Sequence, residues 1–197
     1  MSYLLGLTGG IASGKSTISQ FFKSKHIPVI DADLVAREVV EPNTTGLNQI
    51  VAHFGEEILL SNEKLNRKKL GSIIFEDEKK REQLNTILSK EIRQNILEKV
   101  TYFQSRKAPL IVLDIPLLYE GAYDEMVDSV MVCYVPKKTQ LHRLMLRDGL
   151  NEEDALKRID SQMSLDDKKN LADTIIDNSG SIEETLKQVD NWLTHFS

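Results

Sequence analysis

The chain has 197 residues, 41% of them hydrophobic, and a formal net charge of −5 at pH 7, with acidic and basic residues interleaved rather than grouped in blocks. That length accommodates one domain, with or without large insertions, and the hydrophobic share is enough to fill a core. The charge pattern leaves no footprint for a nucleic-acid duplex, no run approaches the ~18 apolar residues of a membrane span, and no basic segment precedes a long apolar stretch at the start; the expectation is a cytoplasmic protein, off the membrane, that grips small anions locally.

Five short apolar runs rich in β-branched residues recur at Tyr3 to Thr8, Pro28 to Asp31, Leu110 to Ile115, Ser129 to Val135 and Thr174 to Ile176. Near-continuous hydrophobicity over so few residues predicts strands buried on both faces of a parallel sheet. A helical pattern from Ser13 to Lys25 separates the first two and ends ahead of Pro28, so a βαβ unit opens the chain and the fold class is α/β. The connection to the third strand is far longer than one crossover helix needs. It carries Leu47, Ile50, Val51 and Phe54 at helical spacing, a turn region from Glu56 to Lys64, and a long helix expected to show Leu84, Ile87, Leu88, Ile92, Ile96 and Leu97 on one face.

A second insertion follows the fourth strand. Its first helix holds Leu141, Leu144 and Met145, a second starts at the cap Asn151, and a third at Ser164. Polar and jointed, this segment predicts a lid that buries little apolar surface of its own. The last helix starts at Ser181 with Glu184 in capping-box position and carries Leu186, Val189 and Leu193, with Trp192 and Phe196 expected to pack. The expected organisation is therefore a nucleotide-binding core of residues 1–43, 109–137 and 171–197, a helical insertion at 44–108 and a lid at 138–170. The single Cys133 sits in an apolar run and reads as a core residue; the four histidines show no metal-ligand spacing.

Directly after the first strand comes Gly9-Gly10-Ile11-Ala12-Ser13-Gly14-Lys15-Ser16, the full G-x-x-x-x-G-K-[ST] pattern in its strand-turn-helix context. Small residues let consecutive backbone N–H groups curl around an anion, and the following helix adds its positive end. Lys15 then bridges the β- and γ-phosphates, and the Ser16 hydroxyl ligates Mg²⁺. Such a loop serves switch GTPases, motor ATPases and small-molecule kinases alike, so it does not name the acceptor.

Asp31-Ala32-Asp33 follows the second strand, where ligands of open α/β sheets bind. One aspartate can face an acceptor hydroxyl while the other caps a helix, and on residue type alone Asp33 reads equally as base or as N-cap. Arg37 lies one turn further on. Asp114, closing the third strand, stands where such proteins place the partner of Mg²⁺ or of its water. Arg143 and Arg147 are spaced i, i+4. By charge alone they are a solvated helix face, and only their place in a lid suggests cations over a transferring phosphoryl group.

Together, Leu7 to Ser16, Val29 to Asp33 with Ala36-Arg37, Asp114-Ile115-Pro116-Leu117-Leu118-Tyr119-Glu120, Arg143 to Asp148 and Ile176 to Gly180 resemble the dephospho-CoA kinases over nearly the whole chain. The resemblance implies a five-stranded parallel core with a CoA-binding insertion and a lid. It also implies transfer of the ATP γ-phosphate, with Mg²⁺, to the ribose 3′-hydroxyl of dephospho-CoA. By position, Asp33 is then the base, and Lys15 and Arg143 hold the reacting phosphates. Gly10, Ile11, Ala12, Ser13, Gly14, Lys15, Ser16, Thr17, Arg147 and Asn178 bind the nucleotide. Thr8, Asp33, Arg37 and Leu117 line the acceptor site, and Ser16 and Asp114 serve the metal.

Two departures stand out. Many members have glycine where Ala12 stands, and alanine fits there with a negative φ. A His-Pro pair common in the insertion helix is Ser89-Lys90 here. The alternatives are a kinase of another nucleotide or nucleoside, or a nucleotide-dependent switch or binding module; no N-K-x-D stretch for guanine recognition occurs.

Overall fold

The structure is a computed structural model that describes residues 2–75 and 77–196, without the side chain of Phe196, so the packing expected of that ring lies outside the described residues. Five strands form one sheet: β1 (Tyr3–Gly9), β2 (Val29–Asp31), β3 (Leu110–Asp114), β4 (Ser129–Tyr134) and β5 (Thr174–Asp177), in the order β2-β3-β1-β4-β5. The pairings of β1 with β3, β1 with β4 and β4 with β5 are parallel, which helices crossing over the sheet make possible. β1 is central, and its neighbours depart to opposite sides, so its carboxyl end opens at the switch point of the sheet. The register sets Leu7 beside Asp114, which delivers the acid at the end of β3 to the start of the glycine-rich loop.

The chain divides into two compact units, Met1–Ile30 with Phe103–Ser197, and Asp31–Tyr102. In the first, α1 (Lys15–Ser24) buries Ile18 and Phe22 against Leu5, Leu7, Val112, Met131, Cys133, Ile176 and Val189, with Trp192 packed edge-on to Phe22. Cys133 is buried there, and loss of solvent pushes its thiol up to about 11.

The second unit holds α2 (Ala32–Glu38), α3 (Thr45–Phe54), α4 (Arg67–Phe75) and α5 (Glu78–Ser105). Glu38 pairs with Lys99 at 2.8 Å, and Gln49 donates to Glu91 at 2.9 Å, so α5 is held to both α2 and α3. Along α5 the buried positions are Leu84, Ile96 and Val100, all in one i, i+4 row. Leu97, expected on that face, is 44% exposed, because one residue step turns it roughly 100° away from the row. Helix α4 is not separated from α5 by the sequence pattern.

After β4 come α6 (Lys137–Asp148), α7 (Glu152–Asp160), α8 (Leu165–Leu171) and, beyond β5, α9 (Ile182–Leu193). The side chains of Asn151, Ser164 and Ser181 each accept an N–H in the first turn of their helices, and Ser181 forms a reciprocal capping box with Glu184. Helices α6 and α7 share a small core of Leu144, Ala155 and Ile159. Ile11 and Ala12 of the glycine-rich loop pack against it. The segment expected to bury little apolar surface thus shares its core with that loop.

Candidate active site

The loop is shaped by what cannot fit inside it. A Cβ on Gly9 would lie 2.6 Å from Ser13 Oγ and 3.1 Å from the Cys133 carbonyl, and one on Gly14 would collide with the Asn178 amide; Gly14 also has φ of +90°. The Ser13 N–H closes the turn on the Gly10 carbonyl at 3.1 Å. Gly14 is the N-cap of α1, and no side chain caps this helix start. The Thr17 N–H turns back to the Gly14 carbonyl at 3.0 Å, and the N–H groups of Lys15 and Ser16 that open the helix, with its dipole behind them, suit an anion.

Ala12 departs from the expected negative φ: it stands at +59°. A left-handed alanine carries about 1–2 kcal/mol of steric cost and persists where neighbours fix it. Here Ala12 packs on the α6–α7 core, and the next carbonyl, of Ser13, accepts hydrogen bonds from Asn178 Nδ2 at 2.7 Å and Cys133 Sγ at 3.3 Å.

Lys15 reaches across the loop to an ion pair with Asp114, whose side chain is almost wholly buried. The pair brings together the lysine expected to bridge phosphates and the expected metal partner. Among the described residues no group of three His, Cys, Asp or Glu gathers as a metal site. One buried carboxylate bonded to Lys15, the residue before Ser16, fits Mg²⁺, a cation that takes most of its octahedron from water and phosphate.

The two arginines of α6 diverge. Arg143 donates to the Asn178 carbonyl at 2.9 Å, and its Nη1 lies 3.9 Å from the place a Cβ on Gly14 would take, so its guanidinium sits at the helix start. Arg147 instead forks onto Asp148 at 2.8 and 3.1 Å, where Arg158 also binds at 3.0 Å. The Arg147 hydrogen bond, more than its charge and that of Arg158, holds the Asp148 carboxyl below its ordinary value. Asn178 is engaged on every side: besides its contacts to Ser13 and Arg143, its N–H donates to Tyr134 and its Oδ1 accepts from Thr185 at 2.8 Å.

Asp33 and Arg37 belong to the second unit. Asp31 is the N-cap of α2, its Oδ1 accepting from the N–H groups of Asp33 at 2.9 Å and Leu34 at 3.1 Å. Asp33 therefore does not cap. Its carboxylate is exposed in the first turn of α2, with Arg37 exposed one turn later.

A family model described as dephospho-CoA kinase matches residues 3–184. The chain belongs to the dephospho-CoA kinase family. A curated dephospho-CoA kinase from Oceanobacillus iheyensis is 51% identical over 193 residues, covering 98% of this chain and 97% of its own. One from Oryza sativa is 47% identical, covering 98% of this chain and 84% of its own. Among solved structures, a dephospho-CoA kinase from Campylobacter jejuni superposes with a TM-score of 0.76 at 31% identity, with both chains fully covered. A shikimate kinase from Bacteroides thetaiotaomicron, at 15% identity, 98% of this chain, 97% of its own and a TM-score of 0.52, shares the fold.

In this dephospho-CoA kinase family member, sequence reasoning misses three polar residues around the loop. Lys168 of α8 is completely buried; its ammonium donates to the Pro116 carbonyl at 2.8 Å and to Glu120 at 3.1 Å. Burial pushes its pKa down, against the opposing pull of Glu120. The same Pro116 carbonyl accepts from the buried Thr8 hydroxyl at 3.0 Å, while neighbouring Leu117 is 46% exposed. Gln140 donates to the Ile11 carbonyl and Gln162 accepts from the Ile11 N–H. Lys168 and Gln140 are buried and Gln162 partly so, and no periodicity in the sequence marks any of the three as a contact of this region.

Proposed function

We propose that this member of the family transfers the γ-phosphate of ATP to the ribose 3′-hydroxyl of dephospho-CoA, releasing CoA and ADP. The observation that carries this reading is the convergence on one loop of an uncapped helix start, the Lys15 ammonium and the Arg143 guanidinium. Phosphoryl transfer is catalysed chiefly by positioning and charge stabilisation, which these groups provide. On ATP binding, Lys15 would exchange the Asp114 carboxylate for phosphate oxygens, and Asp114 with Ser16 would then hold Mg²⁺. Mg²⁺ bound beside Ser16 and Asp114 supplies neutralisation of charge on the phosphate oxygens.

In this reading Asp33 orients the ribose hydroxyl and accepts its proton, a role an acceptor-only carboxylate can fill. Support comes from its exposure and from Asp31 already serving as the cap. Arg37, Leu117 and the 44–108 insertion take the acceptor, and 138–170 acts as the lid over the nucleotide. The reaction takes place in the cytosol with the ATP it consumes.

A coupled assay of ADP release, run with dephospho-CoA and with a panel of nucleosides and nucleotides, tests this. Turnover dependent on dephospho-CoA, with CoA as the chromatographed product, is expected. Preference for another acceptor would move the assignment within the kinases, and nucleotide binding without acceptor-stimulated turnover would move it to a binding module.

A further inference from the structure

Ile11 lies in the turn of the phosphate loop, and neither its N–H nor its C=O, which belong to successive peptide groups, is held by the loop itself. Its N–H donates to Gln162 Oε1 at 3.1 Å, from the turn between α7 and α8, and its carbonyl accepts from Gln140 Nε2 at 2.8 Å, from α6. Gln140 is 4% exposed, so this is a buried contact. The fit is close on a third side too. A Cβ on Gly10 would come 2.6 Å from Gln140 Nε2 and 3.1 Å from Leu165 Cγ of α8. The side chains of Ile11 and Ala12 are packed against Leu144, Ala155 and Ile159 of α6 and α7.

We propose that Gln140 and Gln162 are positioning residues for the nucleotide: by holding the two successive peptide groups that flank Ile11 they make the lid helices and the phosphate loop one mechanical piece, so that ATP affinity is set by how the lid is seated. The proposal deepens the reading of the loop as the ATP site and rests on it. With the Gly10–Ile11 N–H and the Ile11–Ala12 C=O each anchored, neither peptide plane flanking Ile11 turns without breaking a hydrogen bond, and the next residue, Ala12, is the one held in a left-handed conformation that a free alanine leaves. With the clamp intact, the loop meets the phosphates already shaped; without it, part of the binding free energy goes into reordering the loop.

The two glutamines differ in the chemistry they must supply: Gln140 must donate and Gln162 must accept. Gln140→Glu replaces the donor with a carboxylate facing a carbonyl. Gln162→Met removes the acceptor at similar volume, whereas Gln162→Glu keeps an acceptor. ATP affinity by calorimetry, steady-state kinetics and exchange of the Ile11 amide by NMR are measured on the full-length variants and on wild type. Wild-type protein that fails to bind ATP would remove the underlying site reading. With ATP bound by wild type, Gln140→Glu and Gln162→Met are expected to raise Kd and KM for ATP by roughly five- to tenfold, the effect of about one lost hydrogen bond. The KM for dephospho-CoA should stay put, and kcat should change by less than about threefold.

The conservative arm is read without nucleotide, where added charge has no phosphate to repel. The Ile11 amide should exchange slowly in Gln162→Glu, as in wild type, and fast in Gln162→Met. Unchanged ATP affinity in both Gln140→Glu and Gln162→Met overturns the proposal. So does a loss that appears only as a smaller folded fraction with the same KM, and so does an Ile11 amide protected equally in all variants.

Discussion

The side-chain amide of Asn178 donates to the Ser13 carbonyl at 2.7 Å, across 165 residues of chain, while its oxygen accepts from Thr185 of α9. The bond ties the end of β5 to the bend of the phosphate loop just before Gly14. Asn178→Asp keeps the oxygen for Thr185 but turns a carboxylate toward the Ser13 carbonyl. Loss of a buried hydrogen bond, leaving the Ser13 carbonyl only the weak Cys133 S–H donor and facing a carboxylate, amounts to about 1–3 kcal/mol. The expected result is a fall in kcat/KM for ATP of roughly 5- to 150-fold. Steady-state kinetics at saturating acceptor check it, and a variant within twofold of wild type would show that the loop holds its shape without this bond.

Lys15 and Asp114 form an ion pair with little solvent around either side chain. Lys15→Ala should abolish transfer, since no other group of the loop carries a charge to the phosphates. It also leaves a buried carboxylate without its cation, which destabilises by about 3 kcal/mol. The double variant Lys15→Ala with Asp114→Asn should recover most of that stability and none of the activity. Denaturant melts of the four proteins in the cycle measure it; equal stability of the single and double variants would show that the pair adds nothing to the fold.

The cap of α2 is Asp31, and Asp33 stands free beside it. Asp33→Asn should lower kcat by roughly 10²- to 10⁴-fold, the range for a lost general base, with ATP binding and melting temperature nearly unchanged. Asp31→Ala should do the reverse, removing about 1 kcal/mol of stability through the lost cap. Kinetics and thermal melts on both variants separate the two roles. An Asp33→Asn enzyme within a few-fold of wild type would make Asp31 the base to test.

Asp177 closes β5 with its Oδ1 accepting from the Ser179 N–H at 2.9 Å, and hydrogen bonds from Ser179 hold its carboxyl below the ordinary 3.8. The folded pKa lies below the unfolded one, so the ionised carboxylate stabilises the fold fully above the ordinary value. That contribution is lost as pH falls through the depressed one. Asp177→Asn should therefore narrow its stability gap to wild type as pH drops from about 5 to about 2. Melting temperature against pH for the two proteins reads this out, and a gap that stays constant would remove Asp177 from the acid response.

The sequence by itself determines what short-range chemistry encodes. Parallel strands read as near-continuous apolar runs, so all five are found within two residues of their ends. The caps Asn151, Ser164 and Ser181 follow from side chains that bond two or three residues ahead. The phosphate loop follows from glycines and one lysine at fixed spacing. Tertiary structure alone decides whether a polar side chain is buried and which partner it meets. Lys168 reads as one more charge in a polar helix, yet it is enclosed because Pro116 and Glu120, about fifty residues earlier, offer it oxygens. Arg143 and Arg147 are equivalent by spacing, and only the position of Asn178 and Asp148 sends one to the loop and the other to its neighbour. Ala12 adopts a conformation its residue type disfavours because α6, α7 and β5 surround the loop on three sides. Local pattern fixes where elements begin and end, whereas burial and strain depend on groups brought together from distant positions in the chain, 35 residues apart for Arg143 and Asn178 and 165 for Asn178 and Ser13.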